Sequence, residues 1–148
     1  MTGSTLAEGL SANGSLYYRG NAGYKNDASY TSLSHGWSTG PTIGLSLNVA
    51  GLEIVRWKTW RFRPMVGDLK NVESGFESPM GEFGVNWKVI DNENQGWSFE
   101  ANVTTPVGMK GVVELPWKCT EVLLDREELD GKEVEGGGTK RVEASGCH

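Results

Sequence analysis

The sequence predicts a mainly β fold, namely an antiparallel, jelly-roll-like β-sandwich that is preceded by loops and one short α-helix. Glycine supplies 21 of the 148 residues and is accompanied by 6 tryptophans, a composition typical of short strands joined by tight turns. From Leu52 onward, apolar residues alternate with polar ones, as in strands that bury one face. Turn residues interrupt this alternation at roughly ten-residue spacing, which is typical of sandwiches and jelly rolls.

The first part of the chain is predicted to form loops. Residues 1–36 show no clean period and are rich in turn-forming glycine, asparagine and serine. The charged side chains of residues 1–52 are only Glu8, Arg19, Lys25 and Asp27. Either this stretch is covered by other parts of a protein, or it is a polar region that stays solvated without charge. The composition leaves both interpretations open.

One helix is predicted over about residues 39–51. Ser38 or Thr39 is suited to the N-cap position, and Pro41 fits the first turn because its missing N–H costs nothing there. Gly51 is placed to end the helix. The apolar residues that would share one face are Ile43, Leu47 and Ala50. A helix with so few charges is expected to be covered on several sides.

Short strands account for the rest of the chain. The alternation predicts a strand over residues 60–64 and a hairpin whose strands, 69–78 and 82–91, flank a turn at 79–81. Further strands are predicted over 97–103, 109–115 and 119–124 and around Val134 and Val142, with polar turns at 92–96 and 125–131. Charge, period and composition all change near residues 53–56. We therefore predict two parts, residues 1–53 and 54–148.

The composition argues against several classes of function. Fourteen Lys and Arg against nineteen Asp and Glu give a net charge of −5, which disfavours a nucleic-acid partner. No apolar run reaches the ~18 residues of a membrane span, and residues 1–10 lack the regions of a signal peptide. We expect no membrane partner, no metal and no cofactor. The chain itself predicts no location, and it would be secreted if a longer parent carries a signal peptide.

Two features bear on secretion without deciding it. Cys119 and Cys147 form either one disulfide or two unpaired thiols, and their spacing does not distinguish the alternatives. Asn13 and Asn102 begin sequences with the form of N-glycosylation acceptors, which often arise by chance.

His35 is the candidate binding residue that the sequence singles out. It lies among small residues, beside Trp37 and just before the predicted helix. A lone histidine is more often structural, but a Trp next to hydrogen-bonding groups is also how proteins hold sugar rings. Glu8 is the one carboxylate of the first 26 residues, and a lone Glu is ordinarily a solvated surface charge.

The run SLSHGWSTGPT at residues 32–42 resembles the motif at the start of the last barrel helix of α-L-rhamnosidases, glycoside hydrolase family 78. The resemblance covers roughly residues 4–145, and its most specific part is HGWSTGP at 35–41. Supporting matches are WRFRP at 60–64, GDL at 67–69, SPMG at 78–81 and VNW at 85–87. It implies that residues 1–53 are the last segment of an (α/α)6 catalytic barrel and that 54–148 are the C-terminal β-sandwich.

The resemblance also implies roles for individual residues. TLAEG at residues 5–9 lies where the family has a Thr-Phe-Trp-Glu-type motif, so Glu8 is expected to be the general base that activates water. His35 is expected to contact the bound rhamnose, with Trp37 in the substrate-binding set. Leu6 and Ala7 replace bulky aromatic residues of the motif, so part of the sugar platform is expected to be missing.

Three functional hypotheses follow. In the first, the chain is the C-terminal part of an inverting hydrolase of terminal α-L-rhamnosides and is inactive alone, because the family's general acid belongs to an upstream barrel helix. In the second, it is a stand-alone, lectin-like carbohydrate-binding module that uses His35 and Trp37. In the third, it is a structural protein that oligomerises. The expected partners are an L-rhamnose-containing glycoside and either the missing barrel or a second copy that covers the apolar residues 42–52.

Overall fold

The computed structural model describes residues 6–15, 27–91, 96–131 and 133–148. The chain divides into two compact units, residues 1–43 and 44–148. Below they are called the loop unit and the sandwich unit. The predicted assignment of residues 1–53 to a barrel stays a prediction.

The loop unit contains short helical turns. The 3-10 turns are Ala28–Tyr30 and Gly36–Thr39, and the α-helix α1 is Gly40–Ile43. His35 precedes the second turn in an extended conformation, and its side chain makes no capping hydrogen bond. The predicted N-cap at Ser38 or Thr39 is therefore wrong. Both residues lie inside the 3-10 turn, where the Thr39 hydroxyl donates to the Gly36 carbonyl at 2.8 Å.

The sandwich unit begins with a wide helical turn. Gly44–Val49 is π-helical, and the Ala50 N–H donates to the Leu45 carbonyl at 2.8 Å, five residues back. The predicted regular helix is thus divided into three types of turn, in a stretch whose glycines and proline are poor helix formers. Helical residues end before Gly51, whose φ is +83°. Val49 packs against the core that Ala50 joins.

Ten strands are found among the described residues. They are β1 Leu52–Arg56, β2 Thr59–Phe62, β3 Asn71–Ser78, β4 Gly81–Asp91, β5 Trp97–Thr105, β6 Lys110–Val113, β7 Glu121–Leu124, β8 Glu127–Glu128, β9 Val134–Glu135 and β10 Gly138–Cys147. One sheet has the order β1-β2-β6-β9 and the other β3-β4-β5-β10-β7-β8. This is the mainly β, sandwich-like fold that the sequence predicts.

The predicted hairpin is confirmed as β3 and β4. Its strands pair from Ser78 with Gly81 back to Asn71 with Lys88, so the turn consists of Pro79 and Met80. The Ser78 hydroxyl donates to the Gly81 carbonyl at 2.9 Å and accepts the Met80 N–H at 3.1 Å. A local side-chain bond thereby fixes the turn and the register of both strands.

Other elements differ from the prediction. The pairing of β2 with β6 is parallel, because the chain crosses to the six-stranded sheet through β3, β4 and β5 before it returns. The predicted polar turn at 125–131 contains β8, and the short strand predicted around Val142 is the ten-residue β10. Most of the turn predicted at 92–96 lies outside the described residues.

Aromatic side chains fill the space between the sheets. Phe62 of the four-stranded sheet and Phe99 of the six-stranded sheet are both fully buried, with ring centroids 6.4 Å apart. Trp87 lies 5.9 Å from the Phe99 ring, and Trp117 contacts it edge-on at 5.3 Å. Offset and edge-on pairs of this kind are favourable for aromatic rings, so the two sheets share one core.

A disulfide joins Cys119, before β7, to Cys147, the last residue of β10. Of the two alternatives that the spacing leaves open, the structure therefore has the disulfide. Cys147 is fully buried, so the bond anchors the end of β10 in the core.

Candidate functional site

Backbone pairing within the loop unit brings two of the three predicted site residues together. The Glu8 N–H donates to the Ser32 carbonyl at 2.7 Å, and the His35 N–H donates to the Leu6 carbonyl at 2.8 Å. Residues 6–8 and 32–35 are thus joined side by side. Glu8 and His35, which are distant in the sequence, share one hydrogen-bonded cluster.

The Glu8 carboxylate is held by the same pairing. The Ser32 N–H donates to its Oε2 at 3.3 Å, and the Ser38 hydroxyl donates to the Glu8 backbone carbonyl at 3.5 Å. The side chain is half-buried. Sequence reasoning did not identify Ser32 or Ser38 as positioning residues, although both lie in the 32–42 run that carries the family resemblance.

His35 and Trp37 differ in their surroundings. His35 is half-buried, and its carbonyl accepts the Ser38 N–H at 2.9 Å. The Trp37 side chain is 93% exposed, and Tyr30 and Leu33 of the same unit are exposed as well. A free indole face beside hydrogen-bonding groups is chemically suited to stacking on an apolar ring face. Trp37 lies two residues after His35, inside the 3-10 turn Gly36–Thr39.

Asp27 is the second carboxylate of residues 1–43, and the sequence reasoning did not consider it as a site residue. The Ser29 side chain and then the Ser29 N–H, at 2.9 Å from Asp27 Oδ1, donate hydrogen bonds that lower the pKa of Asp27 below its ordinary 3.8. Asp27 is therefore ionised at neutral pH. It can accept a proton or a hydrogen bond, but it is unsuited to donating a proton to a leaving group.

The described residues contain neither a metal-binding cluster nor a membrane-spanning helix. Across 6–15, 27–91, 96–131 and 133–148, His, Cys, Asp and Glu side chains form no group of three or more that could hold a metal ion. Within those ranges, no helix has the length and hydropathy needed to cross a bilayer. Both N-glycosylation sequences have exposed asparagines, with Asn13 in a turn and Asn102 on β5.

Structural relatives are α-L-rhamnosidases. The enzyme from Dictyoglumus thermophilum matches with a TM-score of 0.62 at 19% identity, over 78% of this chain and 14% of that one. The native enzyme from Aspergillus terreus matches with a TM-score of 0.51 at 23% identity, over 83% of this chain and 12% of that one. At these identities the likeness shows a shared fold, and this chain spans a small part of either enzyme.

Sequence comparison identifies the family. No curated protein matches the chain. The family model described as the bacterial alpha-L-rhamnosidase C-terminal domain matches residues 54–129, which is just over half of the chain. Those residues include the end of β1 and all of β2 to β8, hence most of the shared core. The chain therefore belongs to the family of bacterial alpha-L-rhamnosidase C-terminal domains.

Proposed function

We propose that the chain is the C-terminal part of an α-L-rhamnosidase-like glycoside hydrolase, with Glu8 as the general base and His35 as a contact to the bound rhamnose. The observation that supports this best is the pairing of residues 6–8 with 32–35. It places both residues in one cluster and fixes Glu8 through its backbone and its carboxylate. A base that activates water needs such a fixed position relative to the sugar.

The chain is proposed to be inactive without further barrel residues. Inversion requires two carboxyl groups about 6.5–9.5 Å apart, one of which must be protonated to donate to the leaving group. Residues 1–43 supply Glu8 for the base and Asp27, whose lowered pKa makes it a poor acid. The proton donor is therefore expected from another part of a barrel.

The sandwich is proposed to support that barrel. Trp57, Met65 and Val107 are large apolar side chains that the sandwich unit leaves exposed. Of the apolar strip at residues 42–52, Ala50 and Leu52 belong to the sandwich core, whereas Ile43 and Leu45 are 62% and 58% exposed. These exposed groups are the part of the strip that a barrel, or a second copy of the chain, would cover.

An assay of the isolated chain tests the proposal. An aryl α-L-rhamnoside incubated with the 148-residue polypeptide is expected to release aryl alcohol at the uncatalysed rate. Turnover above that rate, if it disappeared in Glu8→Gln and persisted in Asp27→Asn, would show that the chain is a complete enzyme. The proposal would then be wrong.

A stand-alone carbohydrate-binding module is the second candidate, supported by the exposure of Trp37. Titration with L-rhamnose, followed by tryptophan fluorescence, distinguishes it from the first. A saturable change that is lost in Trp37→Ala, but retained in the matched variant Trp57→Ala, would favour the binding module. A linear response without saturation would favour the enzyme part.

A further inference from the structure

The outer face of the six-stranded sheet carries an open groove that the proposed function does not use. Its larger section has a volume of about 380 Å³ and crosses β3, β4, β5 and β10. A second section of about 250 Å³ continues over β5, β10 and β7. Glu100 lines both sections, so they adjoin at this residue and together cross five strands. At about 4.8 Å between neighbouring strands, the five strands span about 19 Å.

Strand register places polar side chains in rows along this groove. One row, in pairing order, is Glu73, Asn86, Asn102 and Arg141. The next row is Asn71, Lys88, Glu100, Glu143 and Leu123. These residues face outward because their neighbours on the strands, such as Trp87, Ala101 and Val142, are buried in the core. The rows contain only one large apolar side chain, Leu123.

The groove has four carboxylates, Glu73, Glu100, Glu121 and Glu143, against two basic side chains, and both basic groups are paired. The Glu100 Oε2 atom lies 3.2 Å from the Lys88 Nζ and 3.2 Å from the Arg141 Nη2. The Arg141 Nη2 also lies 2.8 Å from the Glu143 Oε1. An anion that entered would have to compete with the carboxylates of these pairs. The groove therefore lacks the free cationic charge that binds an anion.

Two amides at the centre of the groove retain capacity for hydrogen bonding. The Asn102 Nδ2 donates to the Asn86 Oδ1 at 3.0 Å, and both side chains are exposed. In this arrangement the Asn86 amide nitrogen and the Asn102 amide oxygen face solvent, with no further hydrogen bond to the described residues. A donor and an acceptor side by side match the adjacent hydroxyls of a sugar ring.

We infer that this groove binds a neutral oligosaccharide, through its hydroxyl groups, at a site separate from Glu8 and His35. The ligand crosses the strands and is held by the amide pair and the neighbouring planar carboxylate and guanidinium groups. Without an aromatic platform in the groove, affinity rests on hydrogen bonds that compete with water, so a Kd on the order of millimolar is expected.

Titrations of the ¹⁵N-labelled 148-residue chain with cellohexaose, xylohexaose and maltohexaose test this inference, with hexagalacturonate as the anionic comparison. The protein is made in a bacterial host so that Asn102 carries no glycan. At least one neutral hexaose is expected to shift amide signals of β4, β5 and β10 saturably, and hexagalacturonate to bind more weakly. Any of three results overturns the inference: no saturable shift with any neutral hexaose, shifts confined to other strands, or tighter binding of hexagalacturonate.

Variants locate the site. Asn86→Ala combined with Asn102→Ala should weaken binding about tenfold, since two hydrogen bonds are lost. Asn48→Ala, which removes an exposed amide outside the groove, should leave it unchanged. Equal affinity in the double variant also overturns the inference. The groove and the Glu8–His35 cluster share no residue, so a negative result here leaves the proposed enzyme role unaffected. The shift map of the unsubstituted chain remains decisive if the double variant does not fold.

Discussion

Two glycines with similar backbone conformations differ in what surrounds them. Gly51 has φ +83°, and a Cβ built there would lie 2.4 Å from the Pro64 backbone. Gly108 has φ +77° with no atom within 4 Å of such a Cβ. Glycine is thus required at residue 51 because of its positive φ and because a side chain has no room there. At residue 108 it is required only because of its positive φ.

Gly51→Ala is expected to destabilise the chain by about 3 kcal/mol, since the methyl group displaces the Pro64 backbone in addition to straining φ. Gly108→Ala should cost about 1 kcal/mol, from the conformation only. Urea unfolding followed by tryptophan fluorescence measures both. Equal losses in the two variants would mean that Gly51 is not packed against Pro64 as described.

Asp27 gives a prediction for pH. Ser29→Ala removes the hydroxyl that contributes most to its lowered pKa, so the pKa of Asp27 should rise toward 3.8. Because the Ser29 hydrogen bonds stabilise the ionised form in the folded protein, they add to the free energy of unfolding above pH 3.8. This contribution is lost as pH falls through the folded-state pKa of Asp27. A ¹³C carboxylate titration of both proteins measures the shift, and an unchanged or lower pKa in Ser29→Ala would contradict the assignment.

At the scale of elements, local signals were predictable and distant pairings were not. The β3–β4 hairpin follows from Pro79 and Gly81 between two alternating stretches, because residues close in sequence determine such a turn. The parallel pairing of β2 with β6 depends on which sheet each later strand joins, which periodicity does not encode. The same holds for the bond from the Ser32 N–H to Glu8, although the family resemblance singled out both segments.

The disulfide provides a prediction for β7 and β10. It closes a loop with a sequence separation of 28 residues, so its reduction should cost about 3.5 kcal/mol through the entropy of the unfolded chain. Urea unfolding with and without a thiol reductant measures this difference. In the double variant Cys119→Ala, Cys147→Ala the reductant should have no effect. An unsubstituted chain that is equally stable in both conditions would exclude the disulfide in the folded protein.

At the scale of the whole molecule, the sandwich unit contains the aromatic core and the disulfide, whereas the loop unit contains the Glu8–His35 cluster. The β-sandwich was predictable because many short strands repeat one pattern. The burial of Ala50 and Leu52 in the sandwich core, by contrast, depends on tertiary packing, which the pattern does not specify. Relatives at 19% and 23% identity keep this fold, which indicates that the pattern matters more than particular side chains.

A polypeptide of residues 44–148 is expected to fold without the loop unit, because it retains both sheets and every residue of the core. It should show a single cooperative urea transition and well-dispersed amide signals. A fragment without a cooperative transition would mean that the first 43 residues are part of the folding unit.

We propose that Glu8 acts as the general base once a barrel supplies the proton donor. This role is tested by kcat on an aryl α-L-rhamnoside for a polypeptide that carries this chain after an upstream α-L-rhamnosidase barrel. Glu8→Gln should lower kcat by about 10²- to 10⁴-fold, and Asp27→Asn, the matched change in the other carboxylate of the loop unit, should leave it within a few-fold. Retained turnover in Glu8→Gln, or an equal loss in Asp27→Asn, would contradict the assignment.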